Sequence, residues 1–352
     1  MAVNTKRVFY VKYLAATNFQ DILATRPDVR LDRLENDSPA ETADPILAAA
    51  HAYQIGAARD EIDPGFYAQA GLIVRAPNLL VVSSNGAGYD TVDLEDCTKA
   101  GILVVNQAGG NKEAVAEHAL AMMLCLAKRI METDRRMRRA DGIERNAFMG
   151  TELKDKTLGI VGLGHVGGRL AELCRALFNM RILAVDPKLN AEQIAAKGAQ
   201  KTTLEEMLPQ ADFVSINCPR IKETMNLMNA HTFGLMRKGA YFVTTARGGI
   251  HDEAALTEAL RSGHIAGAGL DVWFKEPPPH DHPLMAFDNV LVSPHTAGVT
   301  RESRANIATI AAQQMLDILD GKPASRVLNP EVWPAYAARF EQTFGFRPAP
   351  PA

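Results

Sequence analysis

The sequence predicts an α/β protein built on parallel sheets, with a dinucleotide site that begins in mid-chain. Three observations carry this. Short apolar runs alternate with helical patterns along most of the chain, the arrangement that covers a parallel sheet with helices. Gly162-Leu163-Gly164-His165-Val166-Gly167 follows the apolar run 157–161 and leads into the helical pattern 169–174, the strand–turn–helix setting of the dinucleotide fingerprint. Asp186 closes the next apolar run, 181–185, at about the 20-residue spacing expected of the carboxylate that holds an adenosine ribose. Gly162 permits the tight turn, Gly164 the approach of a pyrophosphate and Gly167 the packing of helix on strand. The amides at the start of the helix then face the phosphates. A glycine turn followed by a turn-forming Asp needs no ligand, and it is the spacing to Asp186 that argues against so plain a reading. Pro187 follows Asp186 and no arginine stands beside it to hold a 2′-phosphate, so NAD is expected rather than NADP; Lys188 keeps the second option open.

The chain has 352 residues, of which 47% are hydrophobic and 22% charged, an ordinary globular composition. That length allows two domains with their own cores. A formal charge of −3 gives no reason to expect nucleic acid or an anionic membrane as partner. Cys97, Cys125, Cys174 and Cys218 are scattered without a C-x-x-C pair and read as buried thiols of a reducing compartment. Met1-Ala2-Val3-Asn4-Thr5-Lys6-Arg7 lacks a signal-type apolar core. The longest apolar run, 119–127, is too short to span a bilayer. A cytoplasmic location is the expectation.

In chain order, Val8-Phe9-Tyr10-Val11 reads as a strand and 19–24 as a helix. Leu72-Ile73-Val74, then 79–83 and 101–106, read as buried parallel strands. A long helix is expected from about Lys112 to Ala140, with Glu113 and Glu117 near its start and Arg135, Arg136, Arg138 and Arg139 near its end, placements that suit the macrodipole. Its middle, 119–127, is apolar all round, so it is buried on both faces, in a core, between domains or between subunits. The arginines at its end read as a solvated face. Beyond the fingerprint, strands are expected at 213–217, 240–244, 266–271 and 290–292, with helices at 253–261 and 301–319. Together these complete a nucleotide-binding sheet from about Gly109 to about Thr296. The closing Arg347-Pro348-Ala349-Pro350-Pro351 forms neither helix nor ladder and is expected to fray.

Ligands of open α/β sheets bind beyond the carboxyl ends of the strands, so residues just after each strand matter most. Arg247 precedes Gly248-Gly249, Asp271 ends Gly269-Leu270, Glu276 precedes Pro277, and His295 follows Ser293-Pro294. Arginine grips a carboxylate with a planar fork. Histidine exchanges a proton near neutral pH, and a carboxylate beside it favours its charged form. These residues suit a 2-oxo acid: Arg247 holds the acid group, His295 protonates the carbonyl oxygen and Glu276 pairs with His295. From the residues alone, Arg247 reads equally as an ion-pair partner and Ser-Pro-His as a turn. His280 and His282 form an H-x-H without an obvious third ligand, and no metal is expected. His118 reads as a packed or interdomain histidine, and Cys218 as a small residue, with a reactive thiol as the alternative. Lys112 reads as an exposed residue at a helix start, with contact to an acidic substrate as the alternative. Trp273 and Phe274 read as packing residues or as walls of the pocket.

Several stretches together resemble the D-isomer-specific 2-hydroxyacid dehydrogenases. They are Gly86-Ala87-Gly88-Tyr89-Asp90-Thr91-Val92-Asp93, then Asn106, Asn111 and Val115-Ala116-Glu117-His118, the entry to the fingerprint from Leu153 to Gly164, Thr245-Ala246-Arg247-Gly248-Gly249, Gly267-Ala268-Gly269-Leu270-Asp271-Val272, Glu276-Pro277, His282-Pro283-Leu284 and Ser293-Pro294-His295. The resemblance spans about residues 70 to 320. It implies a Rossmann-type NAD-binding domain, 109–298, inserted into a flavodoxin-like substrate domain made of 1–108 and 299–352, with a hinge at the two connections and closure over the cofactor. It implies Arg247, Glu276 and His295 as substrate clamp, histidine partner and acid/base. It places His165 and Val166 at the pyrophosphate and Asp186 at the ribose, with Cys218, Pro219, Thr245, Ala246, Asp271, His295 and Gly298 along the rest of the cofactor. Amides of Gly86, Ala87 and Gly88 meet the substrate. It implies a homodimer and interconversion of a D-2-hydroxy acid with its 2-oxo acid. Phosphoglycerate-type members of the family often carry an arginine in the substrate turn, whereas Val82-Ser83-Ser84-Asn85-Gly86 has none. That tilts the expectation toward small acids such as glyoxylate or hydroxypyruvate, with D-3-phosphoglycerate as the alternative if Arg75 or Lys112 compensates. Glu276 stands where formate dehydrogenase relatives have glutamine, which disfavours that branch. A cofactor-sensing protein like the corepressors of this fold is the remaining alternative.

Overall fold

The computed structural model describes residues 5–351. Met1 to Asn4, part of the stretch read above for a signal core, lie outside the described residues. The chain divides into two compact units, one made of the residues up to Asn111 together with those from Thr300, the other running from Lys112 to Val299.

The first unit opens with β1 (Lys6–Val11), α1 (Asn18–Ala24), β2 (Val29–Leu34), α2 (Ala40–Ala49), β3 (Ala52–Ile55), α3 (Ala70–Arg75), β4 (Val81–Ser84), α4 (Leu94–Lys99) and β5 (Leu103–Asn106). Its five strands are parallel in the order β2-β1-β3-β4-β5, the doubly wound order of flavodoxin-like sheets. β3, β4 and β5 are buried at every position, as strands covered on both faces must be. Leu72-Ile73-Val74 is not a strand but the middle of α3. Only Leu72 of the three is buried, while Val74 is 81% exposed. Leu72 and Ala76 share the inward stripe at helical spacing, and the Asp96 carboxylate accepts the Ala70 N–H at the helix start.

The second unit holds α5 (Lys112–Ala127), α6 (Ile130–Arg139), β6 (Thr157–Val161), α7 (His165–Phe178), β7 (Arg181–Val185), α8 (Ala191–Ala196), β8 (Gln200–Lys201), α9 (Leu204–Met207), β9 (Phe213–Ile216), α10 (Ala230–Leu235), β10 (Ala240–Thr244), α11 (Glu253–Arg261), β11 (Ile265–Leu270) and β12 (Val290–Val292). Its parallel sheet runs β12-β11-β10-β9-β6-β7-β8, so the chain reverses its winding between β6 and β9. That reversal is the switch point where dinucleotides bind.

The helix expected to run unbroken to Ala140 is two helices. α5 ends at Ala127, and Arg129 takes a left-handed φ of 52°. The cause is remote in sequence. The Thr151 N–H donates to the Ala127 carbonyl, and a Cβ on Gly150 would lie 2.3 Å from that oxygen. The segment at 150–151 therefore occupies the space the next helical turn would fill. Arg129 is held in its uncommon conformation by Glu132 and by the Ala147 carbonyl. Most of α5 is buried in the core of its own unit, against β10 and β11. Arg138 pairs with Asp134, Arg139 with Asp288, and Arg135 donates to the Asp288 carbonyl.

α12 (Arg301–Leu319) and α13 (Trp333–Phe344) return to the first unit. The closing stretch, expected to fray, is anchored at two points. The Ala349 N–H donates to the Gly321 carbonyl at 2.8 Å, and Phe346 meets the Phe340 ring edge-on. No helix of the described residues is long and apolar enough to cross a membrane.

Four charges tie this unit together at one end: Lys6 and Arg26 each pair with both Asp28 and Asp320. Hydrogen bonds from Arg26, aided by Lys6 and opposed by burial, pull the Asp320 carboxyl down to about 2. A carboxylate whose value is depressed on folding contributes stability that is complete above its unfolded value and lost as pH falls through the folded one. Asp320→Asn is therefore expected to cost on the order of 1–2 kcal/mol near neutral pH. It should also flatten the loss of stability between about pH 4 and 2. Urea unfolding across this range measures both, and parallel losses in the two proteins would mean that the cluster is not the source.

Candidate active site

The carboxyl end of β6 turns at Gly162, whose φ is 90°. A Cβ there would sit 2.7 Å from the Cys218 nitrogen, so the absence of a side chain lets the turn rest on the end of β9, at the switch point. A Cβ on Gly167 would lie 2.1 Å from the Gly162 carbonyl, which fixes α7 against the turn. Gly164, by contrast, has nothing within 4 Å of its would-be Cβ, so its backbone is open to a ligand. His165 and Val166 begin α7, whose first amides have no intrahelical acceptor. At the end of β7, one oxygen of Asp186 accepts the Leu163 N–H and the other the Lys188 N–H, both at 2.9 Å. The carboxylate thus shapes the glycine turn.

Orphaned polar atoms mark the same edge of the sheet. Asn217 Oδ1 after β9, and the Thr244 and Thr245 hydroxyls at the end of β10, are buried without a hydrogen-bond partner among the described residues. Buried polar groups of this kind ordinarily find partners, and the ribose and amide groups of a dinucleotide supply donors and acceptors for them. Together with the open Gly164 backbone, these atoms fit NAD. Burial pushes the Cys218 thiol up to about 11, so it is an inert small residue there.

Glu276 and His295 meet directly: Glu276 Oε2 lies 2.8 Å from His295 Nδ1. Glu276 Oε1 accepts the Trp273 N–H at 3.0 Å. Burial opposes ionisation of Glu276, but the hydrogen bond and charge of His295, the Trp273 amide and the charge of Arg247 outweigh it and hold the carboxyl below its ordinary range. An ionised Glu276 accepts, so His295 Nδ1 carries a proton whether the ring is neutral or charged, and Nε2 is left to give a proton to a substrate as the imidazolium or to take one as the neutral ring. The side chains are only 28% and 21% exposed, enough for access and little enough to strengthen their attraction.

His295 owes its position to Asp271. Its φ is 56°, a region costly for a residue with a Cβ unless the surroundings impose it. The His295 N–H donates to the Asp271 carbonyl at 2.7 Å. The fully buried Asp271 carboxylate accepts the Thr296 and Ala297 amides and the Ser293 hydroxyl. Asp271, placed along the cofactor by the sequence reading, thus commits its carboxylate to the turn that presents His295. His118 Nε2 lies 3.1 Å from the same Ser293 hydroxyl, packed as expected. The Arg247 guanidinium donates to the Ala246 carbonyl, and its charge reaches Glu276. Gly248 after it has no room for a Cβ, which would fall 1.8 Å from the Trp273 carbonyl. Arg247, Glu276 and His295 are thus drawn to one edge by three turns that touch. Pro219, Ala246 and Gly298 lie on segments that follow β9, β10 and β12.

Gly86, Ala87 and Gly88 follow β4 in the first unit. Gly86 has a φ of 77°, its N–H donates to Gln107 Oε1, and the Ser84 hydroxyl donates to the Gly88 carbonyl at 2.7 Å. Arg75 is engaged by Asp44, and Lys112 is exposed, 4.0 Å from Glu113. Arg59, which the sequence reading missed, donates to the Asp90 carbonyl beside this turn at 3.2 Å. His282 faces Glu253 at 3.1 Å.

Residues 120–297 match the sequence model described as D-isomer specific 2-hydroxyacid dehydrogenase, NAD binding domain. The chain is 41% identical over 267 residues to D-3-phosphoglycerate dehydrogenase of Archaeoglobus fulgidus, covering 76% of this chain and 50% of that protein. It is 42% identical over 261 residues to D-3-phosphoglycerate dehydrogenase of Homo sapiens, covering 74% and 48%. The chain therefore spans about half the length of the curated relatives it matches. Among solved structures it is similar to the TT0316 protein from Thermus thermophilus, with a TM-score of 0.78, 31% identity and coverage of 92% of this chain and 99% of that one. It is also similar to D-lactate dehydrogenase from Aquifex aeolicus complexed with NAD and lactic acid, with a TM-score of 0.76, 27% identity and coverage of 89% and 96%.

Proposed function

The chain belongs to the D-isomer specific 2-hydroxyacid dehydrogenases, and on that premise we propose that it is an NAD-dependent oxidoreductase that interconverts a D-2-hydroxy acid and its 2-oxo acid. The observation that carries this reading is the Glu276–His295 pair at 2.8 Å, with Arg247 close enough for its charge to act on Glu276. Arg247 grips the substrate carboxylate and fixes the face of the carbonyl that reacts. His295 gives the proton on Nε2 to the carbonyl oxygen, and Glu276 steadies Nδ1 and the charge on the ring. When bound, NADH supplies a hydride to the carbonyl carbon. Gly162, Gly164, His165, Val166 and Gly167 hold the pyrophosphate, and Asp186 holds the ribose. Cys218, Pro219, Thr245, Ala246 and Gly298 line the remainder of the cofactor, and the Gly86, Ala87 and Gly88 amides receive the substrate. The assembly that goes with this reading is a homodimer.

The substrate favoured is a small unphosphorylated acid such as glyoxylate or hydroxypyruvate. No cation stands in the turn 82–86, the Ser84 hydroxyl is committed to Gly88, and Arg75 is taken by Asp44. One observation favours a second reading, D-3-phosphoglycerate: Arg59 places a guanidinium beside that turn, and the relatives above carry that name. NADH oxidation with glyoxylate, hydroxypyruvate and 3-phosphohydroxypyruvate separates the two. The first reading expects kcat/KM at least about tenfold higher for the unphosphorylated acids, the size of one lost ionic contact. A preference for the phosphorylated acid that Arg59→Ala removes would establish the second. Clear NADH binding without turnover of any acid would instead support a sensor.

A further inference from the structure

Two consecutive peptide amides divide between two glutamates. The Trp273 N–H donates to Glu276 Oε1 at 3.0 Å and the Phe274 N–H to Glu253 Oε1 at 2.8 Å. The second oxygen of each carboxylate meets a histidine: Glu276 Oε2 meets His295 Nδ1 at 2.8 Å, and Glu253 Oε2 meets His282 Nε2 at 3.1 Å. The Leu284 N–H donates to His282 Nδ1, so the ring proton lies on Nε2 and points at Glu253. Two Glu–His pairs therefore flank one short stretch of backbone, and only one of them reaches the reacting atoms.

Trp273 connects this stretch to everything else the chemistry needs. The residue is 2% exposed, and its ring packs edge-on against His282, with centroids 5.2 Å apart. Its indole Nε1–H donates to the Ser293 carbonyl at 3.0 Å, two residues before His295. Its own carbonyl leaves no room for a Cβ on Gly248, the residue after Arg247. One residue thus touches the turn of the clamp, the carboxylate and the loop of the acid/base.

We infer that Trp273 is a positioning residue, braced by the Glu253–His282 pair, that holds the turns of Arg247, Glu276 and His295 in register. The inference rests on the reaction proposed above. The backbone amide fixes one carboxylate oxygen, so the other can only face His295. The indole fixes the strand end from which His295 departs. Glu253 and His282 hold the next peptide of the same stretch, so that the Trp273 amide keeps its place against Glu276. Trp273→Phe keeps an aromatic ring, though a smaller one, and loses the indole bond. Glutamine at 253 keeps an acceptor for Phe274 but turns a donor toward the His282 N–H.

Trp273→Phe and Glu253→Gln, each with thermal melting recorded, test the inference. Displacing a reacting group by a fraction of an ångström to an ångström costs roughly 10- to 100-fold in rate, so kcat is expected to fall at least about tenfold. KM and NADH affinity should change by less than about threefold. The acid limb of the pH profile should move upward, because a loosened Glu276 loses the bonds that keep it ionised. The ¹³C carboxyl titration of Glu276, assigned by its absence in Glu276→Gln, should move the same way and needs no turnover. Wild-type kcat in both folded variants, or a rate loss with no shift in either titration, would overturn the inference. A wild-type protein that turns over no 2-oxo acid would sink the proposed reaction, and a carboxyl titration that still shifts in Trp273→Phe would then uphold the bracing by itself.

Discussion

His295→Ala is expected to lower turnover with any 2-oxo acid by roughly 10²–10⁴-fold, the usual contribution of a placed general acid. NADH binding should survive, because the glycine turn, Asp186 and the orphaned polar atoms at the sheet edge are all elsewhere. The loss should appear in kcat and kcat/KM alike, as for a group whose contact forms chiefly in the transition state. The substitution also removes the partner of Glu276 Oε2. The Trp273 amide and the charge of Arg247 remain to hold the carboxylate ionised, so the fold should persist while the pH profile collapses. Stopped-flow NADH oxidation, with NADH binding read separately by fluorescence, measures both quantities. Normal turnover would remove His295 from its role.

Arg247→Ala should raise KM and lower kcat together, each by roughly one to two orders of magnitude, because a bidentate clamp both binds and aims its carboxylate. Arg247→Lys should recover little, since an ammonium lacks the planar fork. Gly248 sits against the Trp273 carbonyl with no space for a Cβ, so the backbone of the turn should hold its course when the Arg247 side chain is shortened. A change confined to NADH affinity would reassign Arg247 to the cofactor.

Much of this architecture is legible where one signal dominates. The helices at 253–261 and 301–319 stand where the periodicity places them, and β6, the glycine turn and β7 follow from the fingerprint. Legibility fails where the deciding contact is remote or the pattern short. Three apolar residues at 72–74 look alike in strand and helix, and the Asp96 carboxylate that starts α3 lies 26 residues away. The break at Arg129 is imposed by Gly150 and Thr151, and nothing near Arg129 announces it. β3 hides because it buries a polar Gln54, and β2 because an edge strand carries Arg30, Asp32 and Arg33 among its apolar residues.

The site divides the same way. The order Arg247, Glu276, His295 is readable because three short motifs carry it. What holds the three together is not. Asp271 grips 295–297 through backbone amides, and Trp273 reaches Glu276 through its own amide and the Ser293 carbonyl through its indole. Contacts made to main-chain atoms leave no residue pattern to read. The sequence marks Trp273 only as a large apolar side chain, and the fold shows that it is also a donor twice over.

The fate of the hydride decides whether this chain catalyses the proposed reduction. With NADH carrying deuterium at both C4 positions and an excess of hydroxypyruvate or glyoxylate, the product is expected to carry one deuterium at C2. With hydroxypyruvate, which gives a chiral product, the D-hydroxy acid should be formed. Tight NADH binding with no deuterium transferred to any 2-oxo acid, or transfer that gives the L-hydroxy acid, would contradict the account.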